Sequence, residues 1–188
     1  MTNTTTVLPN EAKLAAQSVA DTAAFAAIYD HYFARVYNYI RYRVQDRNTA
    51  DDLTAQVFER ALVSIDRYRP ERAPFAAWLF GIARNAVNDH LRAQKRRQWL
   101  SIEALLSWVS HQPQPSELVQ DRELQDELLV AVARLSHRDQ DLIGLKFAGG
   151  LTNRRIAELT GLSESNVGVI LYRSLRRLRT ELKRKGLA

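Results

Sequence analysis

The chain has 188 residues, 46% of them hydrophobic, with no cysteine and a net charge of +6. That is enough apolar material for one sizeable domain or two small ones and argues against wholesale disorder, while the missing cysteines exclude disulfides, thiolate metal sites and a thiol nucleophile. Residues 151–188 hold nine Lys or Arg against three Glu, and residues 75–98 hold five against one Asp, leaving −4 for the remainder. Two separate basic patches on a mildly acidic body point to two contacts with a polyanion, although either patch alone would read as a solvated face. No apolar run approaches the roughly 20 residues that cross a bilayer. The start, MTNTTTVLPNEAK, lacks the basic and apolar pattern of a signal peptide. No membrane insertion and a cytoplasmic location are therefore expected.

Seven glycines, five prolines and no long Val/Ile/Thr alternation favour helices over strands. Residues 1–20 are polar and Ala-rich, a loose tail or a weak leading helix. Asp21 is placed to cap a helix over 22–44. Its apolar positions Phe25, Ile28, Tyr29, Tyr32, Phe33, Val36, Tyr37, Ile40 and Val44 follow the spacing of one buried face. Thr49 with Asp52 reads as a capping box for a second helix, about 50–66, with Leu53, Val57, Ala61, Leu62 and Ile65 inward. After a loop with two prolines, a third helix over 75–93 buries Phe75, Trp78, Leu79, Ile82, Ala83, Ala86 and Leu91. Residues 21–94 make a first domain.

Residues 95–120 read as a flexible linker, broken by Pro113 and Pro115, with one short helix about 101–109. A second domain over 121–188 follows. Its first helix, 121–135, turns Leu124, Leu128, Ala131 and Leu135 inward. Ser136 caps the next, 137–148, which buries Leu142, Ile143 and Phe147 and ends at Gly149-Gly150. Thr152 caps a short helix, Gly161 turns the chain, and Ser163 caps a last helix to about 184. The expected class is all-α: two small helical domains and a linker.

LTNRRIAELTGLSESNVGVILYRSLRRLR, residues 151–179, has the pattern of a helix-turn-helix. The first helix braces the second, whose exposed start can enter a major groove. An ordinary helical hairpin competes with this reading. The basic run Arg173, Arg176, Arg177, Arg179, Lys183, Arg184 and Lys185 favours DNA, because phosphate neutralisation drives such binding. On helix 75–93, Arg84, Asn88, Arg92 and Lys95 recur at steps of 4, 4 and 3 residues opposite the apolar stripe. Such a row can follow phosphates while an amide reaches a base edge.

ADDLTAQVFERAL (50–62), FAAWLFGIARNAVNDHLR (75–92) and LSHRDQDLIGLKFAGGLTNRRIAELTGLSESNVGVILYRSLRRLR (135–179) together resemble regions two and four of extracytoplasmic-function sigma factors. The resemblance covers residues 21 to 182. It implies a first domain that binds the clamp of core RNA polymerase and melts the −10 element. A second domain would read the −35 element of promoter DNA, and an anti-sigma factor is a further partner the family uses. It also implies no cofactor, no metal and no catalysis.

Carried over by position, Asp51, Asp52, Leu53, Gln56, Val57 and Phe58 match the polymerase-binding segment. Asp51 and Asp52 also suit a helix N-terminus, and Leu53 the core. The −10 set is Arg67, Tyr68, Arg69 and Arg72 in the loop, with Arg84, Asn85, Asn88 and Arg92 on the helix. The −35 set is Thr152, Arg154, Ser165, Asn166, Gly168, Val169, Tyr172, Arg173 and Arg176. The chain departs from many relatives at Gly168, Val169 and Ile170, where a Lys or Arg is common. Gly168 costs a helix about 1 kcal/mol relative to Ala, which suggests a close backbone approach there.

Two other classes compete. A free-standing helix-turn-helix regulator would need a ligand or phosphoacceptor domain in the first half, where a helical bundle with its own basic face stands instead. A nucleic-acid-processing enzyme would need convergent acids, bases or metal ligands. The four histidines, 31, 90, 111 and 137, form no metal-spaced pair, and no Gly-rich phosphate loop is present.

Overall fold

A computed structural model describes Leu8, residues 10–100 and residues 121–185, and the described residues are helical with no strand. In chain order the helices are α1 (Glu11–Ser18), α2 (Ala23–Arg43), α3 (Arg47–Val63), α4 (Phe75–Leu100), α5 (Asp121–Ala133), α6 (His137–Ile143), α7 (Asn153–Thr160) and α8 (Glu164–Arg184). A 3-10 turn, Ile65–Arg67, follows α3, and a π-helical turn, Gly144–Ala148, extends α6. The expected helix about 101–109, Pro113, Pro115 and the side chain of Leu124 lie outside what is described.

Of the expected alternatives for residues 1–20, a leading helix forms over Glu11–Ser18, and residues 1–7 and 9 lie outside the described residues. Helix α1 buries Ala15 and Ser18, and the Tyr32 hydroxyl of α2 donates to Glu11. Asp21 accepts from the Ala23 N–H at 2.9 Å, as its capping position suggested. The cap of α3 differs from the expectation. Asp46, not Thr49, is the N-cap, and its carboxylate accepts the Thr49 N–H at 2.6 Å, so the helix starts at Arg47. A carboxylate is an N-cap as good as any hydroxyl and also suits the positive end of the helix. Helix α4 continues through Lys95–Arg97, past the expected end at 93, because nothing in AQKRR breaks a helix.

In the second half the hydroxyls of Ser136, Thr152 and Ser163 accept the N–H of Asp139, Arg155 and Asn166, as their spacing predicts. Gly161 adopts φ 75° at the end of α7, which only glycine reaches without strain.

Three aromatic positions depart from the expected core. Tyr29 and Phe33 are 40% and 38% exposed, because the apolar stripe of α2 is wider than the face its neighbours cover. Phe147 is 43% exposed. In the π-helical turn Gly149 N–H bonds to Gly144 O, five residues back, and the extra residue in that turn rotates Phe147 outward.

The two halves do not stand apart. Their buried residues form one continuous cluster from Ala15 to Leu178. Helix α2 packs on α5, α6 and the π-helical turn, and α4 packs on α7. Tyr39, fully buried on α2, lies against Gly144, where an added Cβ would fall 2.7 Å from the ring carbon Cδ2. Gly144→Ala should therefore overpack this contact and lower stability by about 1–3 kcal/mol. Urea unfolding should show a lower midpoint than wild type, and an unchanged midpoint would place Tyr39 away from Gly144.

Candidate nucleic-acid and polymerase interface

The polymerase-binding positions on α3 divide by helical face. Asp51, Asp52 and Gln56 are exposed, whereas Leu53, Val57 and Phe58 are 4%, 0% and 5% exposed and belong to the core. Phe58 supports an aromatic surface: its ring lies 4.7 Å from Tyr29 and 6.4 Å from Phe33, which stacks on Tyr37. Beside the exposed carboxylates this makes a mixed apolar and acidic face on α2 and α3, suited to a partner protein with basic and apolar groups. The aromatic half of it was read from sequence as core.

The loop after α3 rests on aromatic rings. Tyr68 is 8% exposed and packs edge-on against Phe75 at 5.1 Å and against Trp78 at 5.5 Å. Tyr32 meets Phe75 from the other side. Burial, followed by the nearby carboxylates of Glu11 and Glu71, raises the Tyr68 phenol above its ordinary range, so it stays neutral. Tyr68 is thus a floor for the loop. Arg67, Arg69 and Arg72 stand exposed above it, with Arg69 donating to the carbonyls of Asp66 and Tyr68.

On α4 the row of polar residues is not uniformly free. Asn85 and Arg92 are exposed, and Arg92 pairs with Asp89 at 2.7 Å. Arg84 instead faces the second half, and Asn88 meets Arg43 of α2. Arg84 Nε donates to Asp141 Oδ2 at 2.8 Å, and its terminal nitrogen donates to Leu159 O at 2.9 Å. Asn88 Oδ1 accepts from Arg43 at 2.9 Å. The expectation of a solvent-facing row from Arg84 to Lys95 is corrected at these two positions, because α6 and α7 meet Arg84 and Arg43 of α2 engages Asn88.

Asp141 is the centre of this seam. Its carboxylate is 6% exposed, takes the Tyr39 hydroxyl at 2.7 Å, pairs with Arg84, and lies 3.9 Å from Arg43 Nε. Burial, and then the charge of Asp141, push the Tyr39 phenol well above its ordinary range, so it remains a donor. Arg43 also donates to His137 O, and Arg35 donates to Ala148 O and Gly149 O at 3.3 and 2.6 Å. Ala148, Gly149 and Leu159 end helical segments, whose last carbonyls lack intrahelical partners. Arginines of the first half satisfy them. Sequence reading missed Tyr39, Arg43 and Asp141. The available signal was the four-residue spacing of Arg35, Tyr39 and Arg43, which puts three polar groups on one side of an otherwise apolar helix.

The −35 residues lie on an open face. Ser165, Asn166, Val169, Tyr172, Arg173 and Arg176 are exposed, opposite the buried Val167, Leu171, Ser174 and Leu178. The Ser163 cap uses the backbone N–H of Asn166, which leaves the side-chain amide outside the cap. Thr152 is the cap of α7, and Arg154 pairs with Glu158 at 3.4 Å. The closer Arg155, at 2.6 Å, is the main cause that holds the Glu158 carboxyl below its usual range. A Cβ on Gly168 would meet only Asn153 Nδ2, at 3.7 Å. The chain itself therefore has room for a side chain there. No group of three or more His, Cys, Asp or Glu that could hold a metal occurs among the described residues.

Comparison with known proteins agrees with this division. Residues 28–97 match Sigma-70 region 2, and residues 125–178 match Sigma-70, region 4. The ECF RNA polymerase sigma factor RpoE of Cereibacter sphaeroides is 30% identical over 166 residues, covering 86% of this chain and 88% of that protein. BldN of Streptomyces coelicolor, also an ECF RNA polymerase sigma factor, is 36% identical over 155 residues; the chain spans 59% of that relative's length. Among solved structures, the sigma factor RpoE in complex with the anti-sigma factor NepR from Bartonella quintana aligns with a TM-score of 0.66 at 20% identity, over 85% of this chain and 96% of that one. CnrH in complex with the cytosolic domain of CnrY aligns at 0.64 and 21%, over 91% and 96%. These two likenesses show a shared fold. With both regions matched in order and a sigma factor aligned along most of its length, the chain belongs to the extracytoplasmic-function sigma factors, subunits that bind core RNA polymerase and direct transcription initiation at promoters.

Proposed function

We propose that this chain performs the sigma function through three surfaces, without catalysis of its own and in the cytoplasm. The acidic and aromatic face of α2 and α3, with Asp51, Asp52 and Gln56, docks on the polymerase clamp. The loop of Arg67, Arg69 and Arg72 over its Tyr68 floor, with Arg84, Asn85, Asn88 and Arg92 of α4, reads and holds the −10 element. The outward face of α8, with Thr152 and Arg154 of α7, reads the −35 element. The observation that carries this reading is the helix-turn-helix, capped at Thr152 and Ser163 and turned at Gly161, whose reading face is open and basic. No helix among the described residues is long and apolar enough to cross a membrane. An anti-sigma factor is a further proposed partner, since the aligned RpoE is held in complex with the anti-sigma factor NepR.

Run-off transcription with purified core polymerase and a genomic library tests the reading. Discrete transcripts should appear only when the chain is added, and none should appear with the chain or core alone. A transcript set identical with and without the chain would contradict it. Asp52→Arg should weaken core binding while the fold survives, because Asp52 is exposed and lies beyond the first turn of α3, where a surface substitution costs little stability. Core affinity equal to wild type would move the docking face elsewhere.

On α8 the residues separate by role. Asn166 is near the groove-entering end and carries an amide that pairs in two directions with adenine, whereas Arg176 lies nearly three turns farther on and suits a phosphate. Selection from a randomised −35 pool should show Asn166→Ala relaxing one or two base pairs, at a cost of about 1–3 kcal/mol. Arg176→Ala should weaken all promoters alike and flatten the salt dependence by about one ion. Gly168→Ala should stabilise the free chain by about 1 kcal/mol, because there is room for the methyl group. It should also weaken −35 binding if DNA approaches that backbone, and unchanged binding would leave Gly168 without a contact role.

A further inference from the structure

We propose that helix α1, through Glu11, positions the loop that reads the −10 element and so helps to set which base that loop accepts. The inference rests on the reading of residues 67–73 as the −10 loop. Helix α1 lies ahead of residues 28–97, which match Sigma-70 region 2, so the brace comes from outside the matched segment. An isolated helix of eight residues is marginal in water, and α1 is held by what it touches. Ala15 and Ser18 are buried, and Leu8 and Leu14 pack against the core. The helix also lies on the 3-10 turn Ile65–Arg67, which leads into the loop.

Glu11 makes the connection specific. A carboxylate in the first turn would favour the helix dipole in any orientation. This one accepts the Tyr32 hydroxyl, and the same oxygen accepts the Leu8 N–H at 3.2 Å. The Tyr32 ring lies 5.6 Å from Phe75, and Phe75 lies 5.1 Å from Tyr68, so Glu11, Tyr32, Phe75 and Tyr68 stand in series from α1 to the loop. Burial, then the bond to Glu11 and its charge, hold the Tyr32 phenol above its ordinary range, and it stays a donor. The backbone bonds of the loop are local, with Arg72 N–H and Ala73 N–H both reaching Arg69 O, at 3.0 and 3.4 Å. Its placement against the fold therefore falls to Tyr68 and the half-buried Ala73. A loop fixed before it meets DNA has less ordering left to do on binding, and a wrong base meets a surface that does not adapt. Freed of its brace, the loop would accept more bases and hold the right one less tightly.

The test uses holoenzyme assembled from core polymerase and the full chain, on a promoter pool randomised in the −10 and −35 elements. Glu11→Ala should lower enrichment of the wild-type −10 sequence about tenfold, the worth of one hydrogen bond to a charged group, while −35 enrichment stays at the wild-type value. Tyr32→Phe, which removes only the hydroxyl, should fall by a similar factor. The double variant should be no worse than either single one, because both remove the same bond. Glu11→Gln, whose amide oxygen still accepts the hydroxyl, should recover most of the preference. A folded Glu11→Ala chain with wild-type −10 enrichment overturns the proposal. So does an equal loss at both elements, which marks a merely destabilised chain. A double variant whose losses multiply, or a Glu11→Gln chain no better than Glu11→Ala, overturns it as well. If Glu11→Ala fails to fold by circular dichroism, Tyr32→Phe decides by the same comparison of the two elements. Wild-type −10 enrichment from a chain with residues 67–73 replaced by Gly and Ser would instead overturn the reading of the loop on which the proposal rests.

Discussion

A single buried carboxylate, Asp141, holds the arrangement of the two halves. It is reached by Tyr39 and Arg84 and approached by Arg43, which places α2 and α4 of the first half on α6 and α7 of the second. A buried charge is costly unless paired, and removing one partner of such a pair typically costs about 3–5 kcal/mol. The contact therefore ties the two halves into one register.

Helix ends determine what the seam can grip. Arg35 takes the carbonyls that close the π-helical turn, and Arg84 takes one in the last turn of α7. These carbonyls have no partner within their own helices, so their satisfaction by arginine is a gain that apolar packing alone could not supply. Elsewhere the design is simpler. The loop after α3 sits on a floor of Tyr68, Phe75 and Trp78, braced by Tyr32 and α1, so three exposed arginines project from a backbone that apolar contacts hold. Aromatic rings give rigidity there, and the charged groups above stay exposed.

Much of this was legible in the sequence because it is local. Ser136, Thr152 and Ser163 announce their helices by spacing, and Gly161 marks a turn that needs positive φ. The outward set on α8 followed from the apolar positions Val167, Leu171 and Leu178. What failed was non-local. Tyr29, Phe33 and Phe147 are apolar residues whose exposure depends on which neighbours arrive, and the π-helical turn is not visible in periodicity. The role of Arg84 as a partner of Asp141 links positions 57 residues apart, and no spacing rule connects them. Asp46 was passed over as a cap because Thr49 and Asp52 supplied a more familiar pattern.

The central claim is that the two halves of the free chain are held together across Asp141. It is tested most directly by the distance between spin labels on two exposed residues of different halves, Val63→Cys on α3 and Val130→Cys on α5. Pulsed electron paramagnetic resonance on the chain alone should give one narrow distribution. A broad, long distribution would contradict the account.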